Sequence, residues 1–459
     1  MRKPEIKTVT DYLDNDYREY AVYVVEERAI PSVIDGFKPT QRKVIFIANK
    51  VWRNGTEKPM KIFQLAGRVA ADAFYHHGDG SLNSAIVGMA QKFKNSMPVL
   101  EDIGQFGSLR SPEAAAPRYI ATRLHKNFRL LYKDFELLES RYEEGNEIEP
   151  KFFLPIIPTV LLNGGSGIAV GFATNILNRN PLHLIDSCLK SLEKKKYIEP
   201  SPWNREFDGD CALVDSEKFS WVFSGKYDVK NTTTVTITEL PPSVTYEKFD
   251  QHLIDLEDTR RIASYENNCK SNINYIIKFR REDLKTLSDS VKLKRLLKME
   301  ERQTENFTVL DEFGRLKIFS SASEIIEYFV DFRLSFYSKR KQYIIDTLNQ
   351  ELTVLSNKAR FIKDIIDGKL VINNVPRKQI ILYLQTANFD EINGSYQYLL
   401  SLPIHSLTKE TYEDLLSAEF QKEAELIEIK KKEPINMYQE DLQELKKALQ
   451  KEYNNPNKN

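Results

Sequence analysis

The stretch SPEAAAPRYIATRL, residues 111–124, places a phenol, Tyr119, directly after a guanidinium, Arg118, behind three alanines and a proline, with a second guanidinium at Arg123. A phenol is a weak nucleophile at neutral pH because its pKa is about 10, so a nucleophilic tyrosine needs cations, a base or a metal to favour the phenolate. Arg118 and Arg123 are cations of that kind. A guanidinium also fits the non-bridging oxygens of a phosphodiester, and small alanine side chains leave room for a polymer backbone to approach. An ordinary packed Arg-Tyr pair accounts for the same residues, since the chain has 22 tyrosines.

Two further stretches carry polar or glycine-rich chemistry. In AFYHHGDGSL, residues 73–82, the neighbouring His76 and His77 point in different directions on any regular element, and no later His or Cys pattern completes a zinc site. Phosphate contact or proton relay suits them, and so does a capped turn at Gly78–Gly80. NGGSGIAVG, residues 163–171, fits neither phosphate-loop spacing. Its glycines allow close approach to another backbone, with Ile168 exposed at a tip as an apolar wedge between base pairs. Asp208 and Asp210 form the one metal-like acidic pair nearby, and a lone D-x-D also reads as a turn. No Ser-His-Asp set or nucleotide-hydrolysis motif stands out.

The elements that must position these residues fall into three regions. From Asp11 to about Lys50 the pattern is helical, broken at Pro31, with a turn holding Gly36 and Pro39 before QRKVIFIANKVW. This resembles a helix-turn-helix whose second helix carries Arg42 and Lys43 on one side and Val44, Ile45 and Ile47 on the other. Residues 155–320 mix β-branched strands such as TTTVTITELPP with glycine-permitted turns. Beyond Ser321, Ile325, Phe329, Phe332, Phe336, Leu348, Leu352, Leu355, Ala359, Ile362 and Ile366 follow steps of three and four, the seam of a coiled coil. Tyr438, Leu442, Leu445 and Leu449 repeat that spacing and suggest a returning antiparallel helix. A small helical unit from about Gly368 to Lys432, broken by Pro376 and Pro403, lies between them, and KEYNNPNKN reads as a frayed tail.

The chain has 459 residues, 66 basic and 66 acidic, with 41% apolar residues and three cysteines. This excludes a disulfide framework and predicts a protein without membrane spans, in a reducing cytoplasm; the first residues have no apolar run of the secretory kind. The cancelling charges are segregated. Lys38, Arg42, Lys43, Lys50, Arg53, Lys58, Lys61 and Arg68 face only Glu57 between Gly36 and Ala71, whereas residues 131–150 are strongly acidic. A basic first third could track a phosphate backbone, and an uneven solvated surface gives the same count.

Taken together, ERAIPSVIDGFKPTQRKVIF, QLAGRVAADAFYHHGDGSL, IGQFGS, AAAPRYIATRL, EPKFFLPIIPTVLLNGGSGIAVGFATNI and YLLSLPIHSLTKE resemble, in order and spacing, the DNA breakage-reunion half of type IIA topoisomerases. The wording is intermediate between the cleavage polypeptide of gyrase and the eukaryotic enzyme. A separate cleavage subunit of this length is similar to the medium subunit found in T-even-type phages. The resemblance implies an α+β multidomain fold: a winged-helix domain over residues 1–155, a tower domain over 156–320, and a long antiparallel coiled coil with a small helical dimerisation gate over 321–459.

It also implies roles. Tyr119 matches the nucleophile that forms a 5′-phosphotyrosyl link, Arg118 the arginine that assists it, and Arg28 and His77 residues around the scissile phosphate. Lys38, Arg42, Lys43, His76 and Arg123 fall among the duplex contacts, and Ile168 matches the residue that intercalates and bends DNA. Double-stranded DNA and a second copy of the chain are the implied partners. The family's Mg²⁺ site on a TOPRIM module and its ATPase have no match here, so a large subunit carrying both is expected, with this chain inactive in strand passage alone. Ending after the helical arm, the chain is expected to favour relaxation, decatenation and unknotting, in the cytoplasm of an infected bacterium if phage-encoded. A non-catalytic DNA-binding or bending scaffold of the same fold is the alternative, and a tyrosine recombinase a third.

Overall fold

The computed structural model describes residues 8–53, 58–270, 272–287 and 290–453, so the end of the tail expected to fray, from residue 454, lies outside the described residues. Contacts divide the chain into one unit of Met1–Arg333 with Asp441–Asn459 and a second of Leu334–Glu440. The boundary expected near residue 155 therefore falls inside the first unit.

In the first unit, helix α1 (Arg18–Val24) runs into a π-helical stretch, Val25–Ala29, closed by Ile30 N–H donating to the Val25 carbonyl at 3.4 Å. A tight turn follows. Asp35, fully buried, accepts from Phe37 N at 3.1 Å and Phe153 N at 3.0 Å, and Gly36 has φ +68°. A Cβ on Gly36 would lie 2.7 Å from Val160 N, so only glycine fits. Helix α2 (Pro39–Val51) starts on a proline whose fixed φ suits the first helical position, with Gln41 Oε1 accepting from Lys38 N at 2.9 Å. Strand β1 (Met60–Lys61) leads without a break into α3 (Ile62–Asp72), and α4 (Asp79–Ala90) follows the histidine pair. Helices α2, α3 and α4 pack together, burying Val44, Ile45 and Ile47 of the first, Leu65 and Val69 of the second and Leu82 and Ile86 of the third. Strand β2 (Ala121–Thr122) pairs with β1, Met60 opposite Thr122 and Lys61 opposite Ala121.

The glycine-rich stretch forms a hairpin of β3 (Gly165–Ile168) and β4 (Ala173–Ile176), followed by α5 (Pro181–Leu192), which Asn180 caps by accepting from Leu182 N. Beyond it come β5 (Asp210–Asp215), β6 (Ser220–Ser224), β7 (Tyr227–Val229), β8 (Thr234–Ile237), α6 (Tyr246–Asp258), β9 (Ser264–Asn267), β10 (Tyr275–Lys278) and β11 (Glu300–Thr304). They form two antiparallel sheets, of order β9-β10-β8-β7 and β11-β6-β5. Alternation in TTTVTITELPP puts Val235 and Ile237 of β8 inward, against Tyr275, Ile277 and the Phe249–Leu253 face of α6. A second hairpin, β12 (Phe307–Leu310) with β13 (Leu316–Phe319), lies beside the first, since Asn175 and Asn306 exchange backbone hydrogen bonds at 3.1 and 2.8 Å.

A fully buried ion pair fastens the base of the glycine-rich hairpin. Arg179 donates to Glu305 Oε1 at 3.0 Å and Oε2 at 2.7 Å, and Glu305 also accepts from Trp221 Nε1 at 2.9 Å and Leu177 N at 2.8 Å. Each donor that meets a carboxylate oxygen offsets part of the water lost on burial, so the pair is tolerated in the interior.

Helix α7 (Ala322–Ile366) begins in the first unit, where Ile325 and Phe329 are fully buried and Arg333 donates to Asp134 Oδ2 at 2.5 Å and the Pro155 carbonyl at 3.0 Å. In the second unit its remaining length is joined by α8 (Arg377–Thr386), α9 (Lys409–Lys431) and the start of α10 (Pro434–Tyr453). Here the expected partner of the seam changes. Lys341 Nζ donates to the Lys430 carbonyl at 2.9 Å and Lys422 Nζ pairs with Glu351 at 3.1 Å, so α7 and α9 run antiparallel and bury Leu348 and Leu426. Pro434 starts a new helix, in which Tyr438 stacks on Tyr337 at 4.5 Å. Leu442, Leu445 and Leu449 are buried in the first unit, where Lys133 holds Asp441 and Glu444 at 2.8 Å each. The small helical core is Phe361, Leu370, Leu384, Phe389, Tyr396 and Leu399.

Replacing Glu305 by alanine leaves the Arg179 charge buried and unmatched. Denaturant titration of Glu305→Ala is expected to show about 3–5 kcal/mol less stability for the first unit.

Candidate nucleic-acid cleavage site

Tyr119 sits on a loop whose backbone is tied on both sides while its ring stays in solvent, 64% exposed. Before it, Ala115 N donates to the Gln105 carbonyl at 3.0 Å, and Gln91 Nε2 donates to the Phe106 carbonyl at 2.8 Å. Gly107 has φ +83°, and a Cβ there would lie 2.8 Å from the Pro112 backbone. Arg110 reaches out of the same loop, donating to Glu239 Oε1 at 2.6 Å and to the carbonyls of Pro241 and Leu240 at 2.6 and 2.5 Å. At the tyrosine, Tyr119 N donates to the Ala116 carbonyl at 2.9 Å, closing a turn over Pro117 and Arg118. After it, Ile120 is buried, and Ala121 exchanges backbone hydrogen bonds with Ile103 at 2.9 and 3.1 Å as well as pairing with Lys61.

Two cations flank the phenol. The Arg118 guanidinium lies 4.8 Å from the centre of the Tyr119 ring, and Lys61 Nζ donates to the Tyr119 carbonyl at 2.7 Å. Among the described residues Arg118 forms no salt bridge, so its donors remain available for an incoming anion. Lys61 was legible only as one positive charge among several; its place under the tyrosine follows from the β1–β2 pairing.

Helix α3 connects this loop to a second group of side chains. It starts where β1 ends and finishes at Ala73, next to His76 and His77. His77 packs edge-on against Tyr75 at 5.3 Å, and its Nε2 lies 3.4 Å from the Tyr23 hydroxyl. Arg28 donates to that same hydroxyl at 3.3 Å with its guanidinium 5.0 Å from the Tyr23 ring centre. His76 is exposed beside Phe74. Sequence reasoning missed Tyr23.

The glycine-rich hairpin meets the Arg28 segment directly. A Cβ on Gly167 would collide with the Ala29 carbonyl oxygen, Ala169 packs on Ala29, Ile30 and Leu310, and Lys38 Nζ donates to the Ser166 carbonyl at 2.8 Å. Burial pulls the Lys38 ammonium below its ordinary pKa. Beyond these contacts Ile168 projects at the tip, 88% exposed, with Ala169 N donating to the Phe172 carbonyl at 2.8 Å across the turn. Arg28, Lys38 and Ile168 are thus brought together.

Three expected cations are otherwise engaged. Arg42 is buried, not on an outer helix face: it donates to Asp35 through Nε at 2.8 Å and Nη2 at 3.0 Å, and to the Phe37 carbonyl at 3.1 Å. Lys43 donates to the Ala73 carbonyl at 2.6 Å and Glu149 at 3.0 Å. Arg123 pairs with Glu101 at 2.6 Å, so its charge is matched before any anion arrives. In each case a carboxylate takes the cation, seven residues away for Arg42, 22 for Arg123 and 106 for Lys43. The acidic stretch 131–150 supplies one of them, Glu149. Asp208 lies just before β5, which Asp210 begins, and pairs with Lys226 at 3.1 Å. Among the described residues no group of three His, Cys, Asp or Glu side chains is gathered for a metal, and no helix is long and apolar enough to cross a membrane.

The framework of mixed helices and sheets is shared with the DNA-binding and cleavage core of type II DNA topoisomerases. Residues 28–446 match the A-subunit family of DNA gyrase/topoisomerase IV, and the chain belongs to it. It is 34% identical to the DNA topoisomerase medium subunit of Enterobacteria phage T4, over 95% of this chain and 98% of that protein. It is 32% identical to DNA topoisomerase 2-alpha of Rattus norvegicus, over 91% of this chain but only 30% of the relative. A solved structure of the Plasmodium falciparum topoisomerase II DNA-binding, cleavage and re-ligation domain superposes with a TM-score of 0.86 at 31% identity, covering 97% of this chain and 65% of that one.

Removing Arg42 strands Asp35 in the core. Arg42→Ala is expected to lower stability by about 3–5 kcal/mol in denaturant unfolding while leaving the salt dependence of DNA binding unchanged, because no phosphate contact is lost.

Proposed function

We propose that this chain is the DNA-cleaving subunit of a type II DNA topoisomerase. The observation that carries the reading is the exposed Tyr119 ring on a fixed backbone with the Arg118 guanidinium against it. The Tyr119 oxygen attacks a backbone phosphorus, the bond from phosphorus to the 3′ oxygen breaks, and the 3′ hydroxyl leaves with a proton. The 5′ end stays on the protein as a phosphotyrosyl ester. Because the ester keeps the energy of the broken bond, the reverse attack reseals the strand.

Arg118 supplies paired donors to the non-bridging oxygens as charge grows there. Arg28 and His77 act from the adjoining group, Lys38 contacts the duplex backbone, and Ile168 enters between base pairs to bend it. His76 remains a backbone contact. For Arg42, Lys43 and Arg123 the ion pairs above favour structural roles. Two copies, joined through the small helical gate of the second unit, supply one tyrosine per strand. Residues to about 155 serve as the winged-helix part, those to about 320 as the tower, and the rest as coiled coil and gate.

Divalent metal supplies positive charge to the reacting phosphate when bound, and ATP drives duplex passage. Both are assigned to a large subunit carrying TOPRIM and ATPase modules. The phage relative's designation as a medium subunit supports such a division. Relaxation, decatenation and unknotting in the cytoplasm of an infected bacterium are the expected activities.

The test is a denaturant-trapped cleavage assay on supercoiled plasmid, with Mg²⁺ and the large subunit. Wild type is expected to yield linear, protein-linked DNA, and Tyr119→Phe none, with DNA binding retained. Equal binding by both proteins and no linked DNA from either would establish the scaffold alternative instead.

A further inference from the structure

We propose that Tyr23 is a positioning residue of the cleavage site, its hydroxyl setting Arg28 and His77 toward one phosphate before DNA arrives; this rests on the DNA-cleavage reading above. Tyr23 and Arg28 are five residues apart. On an α-helix, at about 100° per residue, they would point roughly 140° apart. The π-helical stretch Val25–Ala29 narrows that angle, because its bonds run from residue i to i+5 and its wider turn rotates each residue by less. The Arg28 guanidinium consequently lies over the Tyr23 ring, 5.0 Å from its centre, with Nη2 3.3 Å from the hydroxyl. His77 arrives from a segment 54 residues away, Nε2 3.4 Å from the same oxygen.

Its other neighbour holds it there. Tyr75 packs edge-on to the His77 ring and is itself tied, its hydroxyl 2.9 Å from Ser81 Oγ.

Arginine only donates, so the Tyr23 oxygen accepts from Arg28. In the proposed arrangement the Tyr23 proton goes to Nε2 of a neutral His77, which places the imidazole proton on Nδ1. Nδ1–H is left to donate to a phosphate oxygen, next to the unused donors of Arg28. At 3.3 and 3.4 Å both contacts are long for hydrogen bonds. They orient the two side chains at little cost and give way when a phosphate offers better acceptors.

Two measurements test this. In the complete enzyme, Tyr23→Phe keeps the ring under Arg28 and removes the hydroxyl; single-turnover formation of the trapped adduct is expected to slow roughly tenfold, the worth of one hydrogen bond, with DNA affinity unchanged. His77→Ala is expected to slow it further, and Tyr23→Phe/His77→Ala by less than the product of the two single losses, because part of the effect of Tyr23 passes through the histidine and the rest through Arg28. A wild-type rate for Tyr23→Phe, losses that multiply, or a loss confined to DNA affinity would overturn the assignment.

The second measurement needs no cleavage. Histidine ¹⁵N spectra of the chain, with only six histidines and His77→Gln to assign the signal, should show an unprotonated Nε2 for neutral His77 that Tyr23→Phe alters. A protonated Nε2, or a signal indifferent to Tyr23→Phe, refutes it. If the spectra behave as expected but wild type forms no adduct, the cleavage reading fails and the positioning contact stands.

Discussion

A two-residue ladder carries the site. Met60 and Lys61 pair with Thr122 and Ala121, and this short strand contact reconciles opposing demands on Tyr119. On the proposed reading its ring must be open to a polymer too large to enter a pocket, yet its oxygen must be held where a phosphorus will be. The backbone pairing meets the second demand without covering the side chain. Since β1 continues into α3, the ladder also joins the tyrosine loop to the helix that ends at Asp72, four residues before His76. Arg110 adds a tie from the other direction, to Glu239 and Leu240 just past the end of β8 in the four-stranded sheet. Lost pairing at Lys61 would free the loop at both ends of this connection.

Around that ladder the basic residues divide by what their charge meets. Arg42, Lys43 and Arg123 face Asp35, Glu149 and Glu101. Arg179 and Arg333 are fully buried against Glu305 and Asp134. These pairs hold separate segments together, and breaking one leaves an uncompensated charge inside the protein. Arg118, Arg28 and Lys61 rest instead against tyrosine rings, hydroxyls or carbonyls, which satisfy a cation without neutralising it. Among the described residues these three cations form no salt bridge with a carboxylate, although the whole chain has no net charge.

Much of this was legible in the sequence because spacing and side-chain size report local geometry. The glycines of NGGSGIAVG announced a close backbone approach, and Gly167 against Ala29 is such an approach. The alternation in TTTVTITELPP fixed the inward face of β8. The three-and-four steps from Ile325 onward predicted α7. Pairings between distant segments were not legible: nothing near Lys43 in the chain reveals that Glu149 takes its charge, or that Phe153 N donates to the Asp35 carboxylate beside Arg42. The helical seam of Tyr438, Leu442, Leu445 and Leu449 read as one surface, but periodicity cannot say which neighbours bury it, and those residues divide between two units. Tyr23 escaped notice for a related reason. Reading it requires the helix to leave the 3.6-residue period, and only the π-helical turn makes a five-residue spacing a contact.

The most direct measurement is to trap the cleavage intermediate with denaturant, digest protein and DNA, and identify the modified peptide by mass spectrometry. The expected result is a nucleotide joined through its 5′ phosphate to the Tyr119 oxygen. A phosphate on another side chain, or on the large subunit, would contradict the central claim.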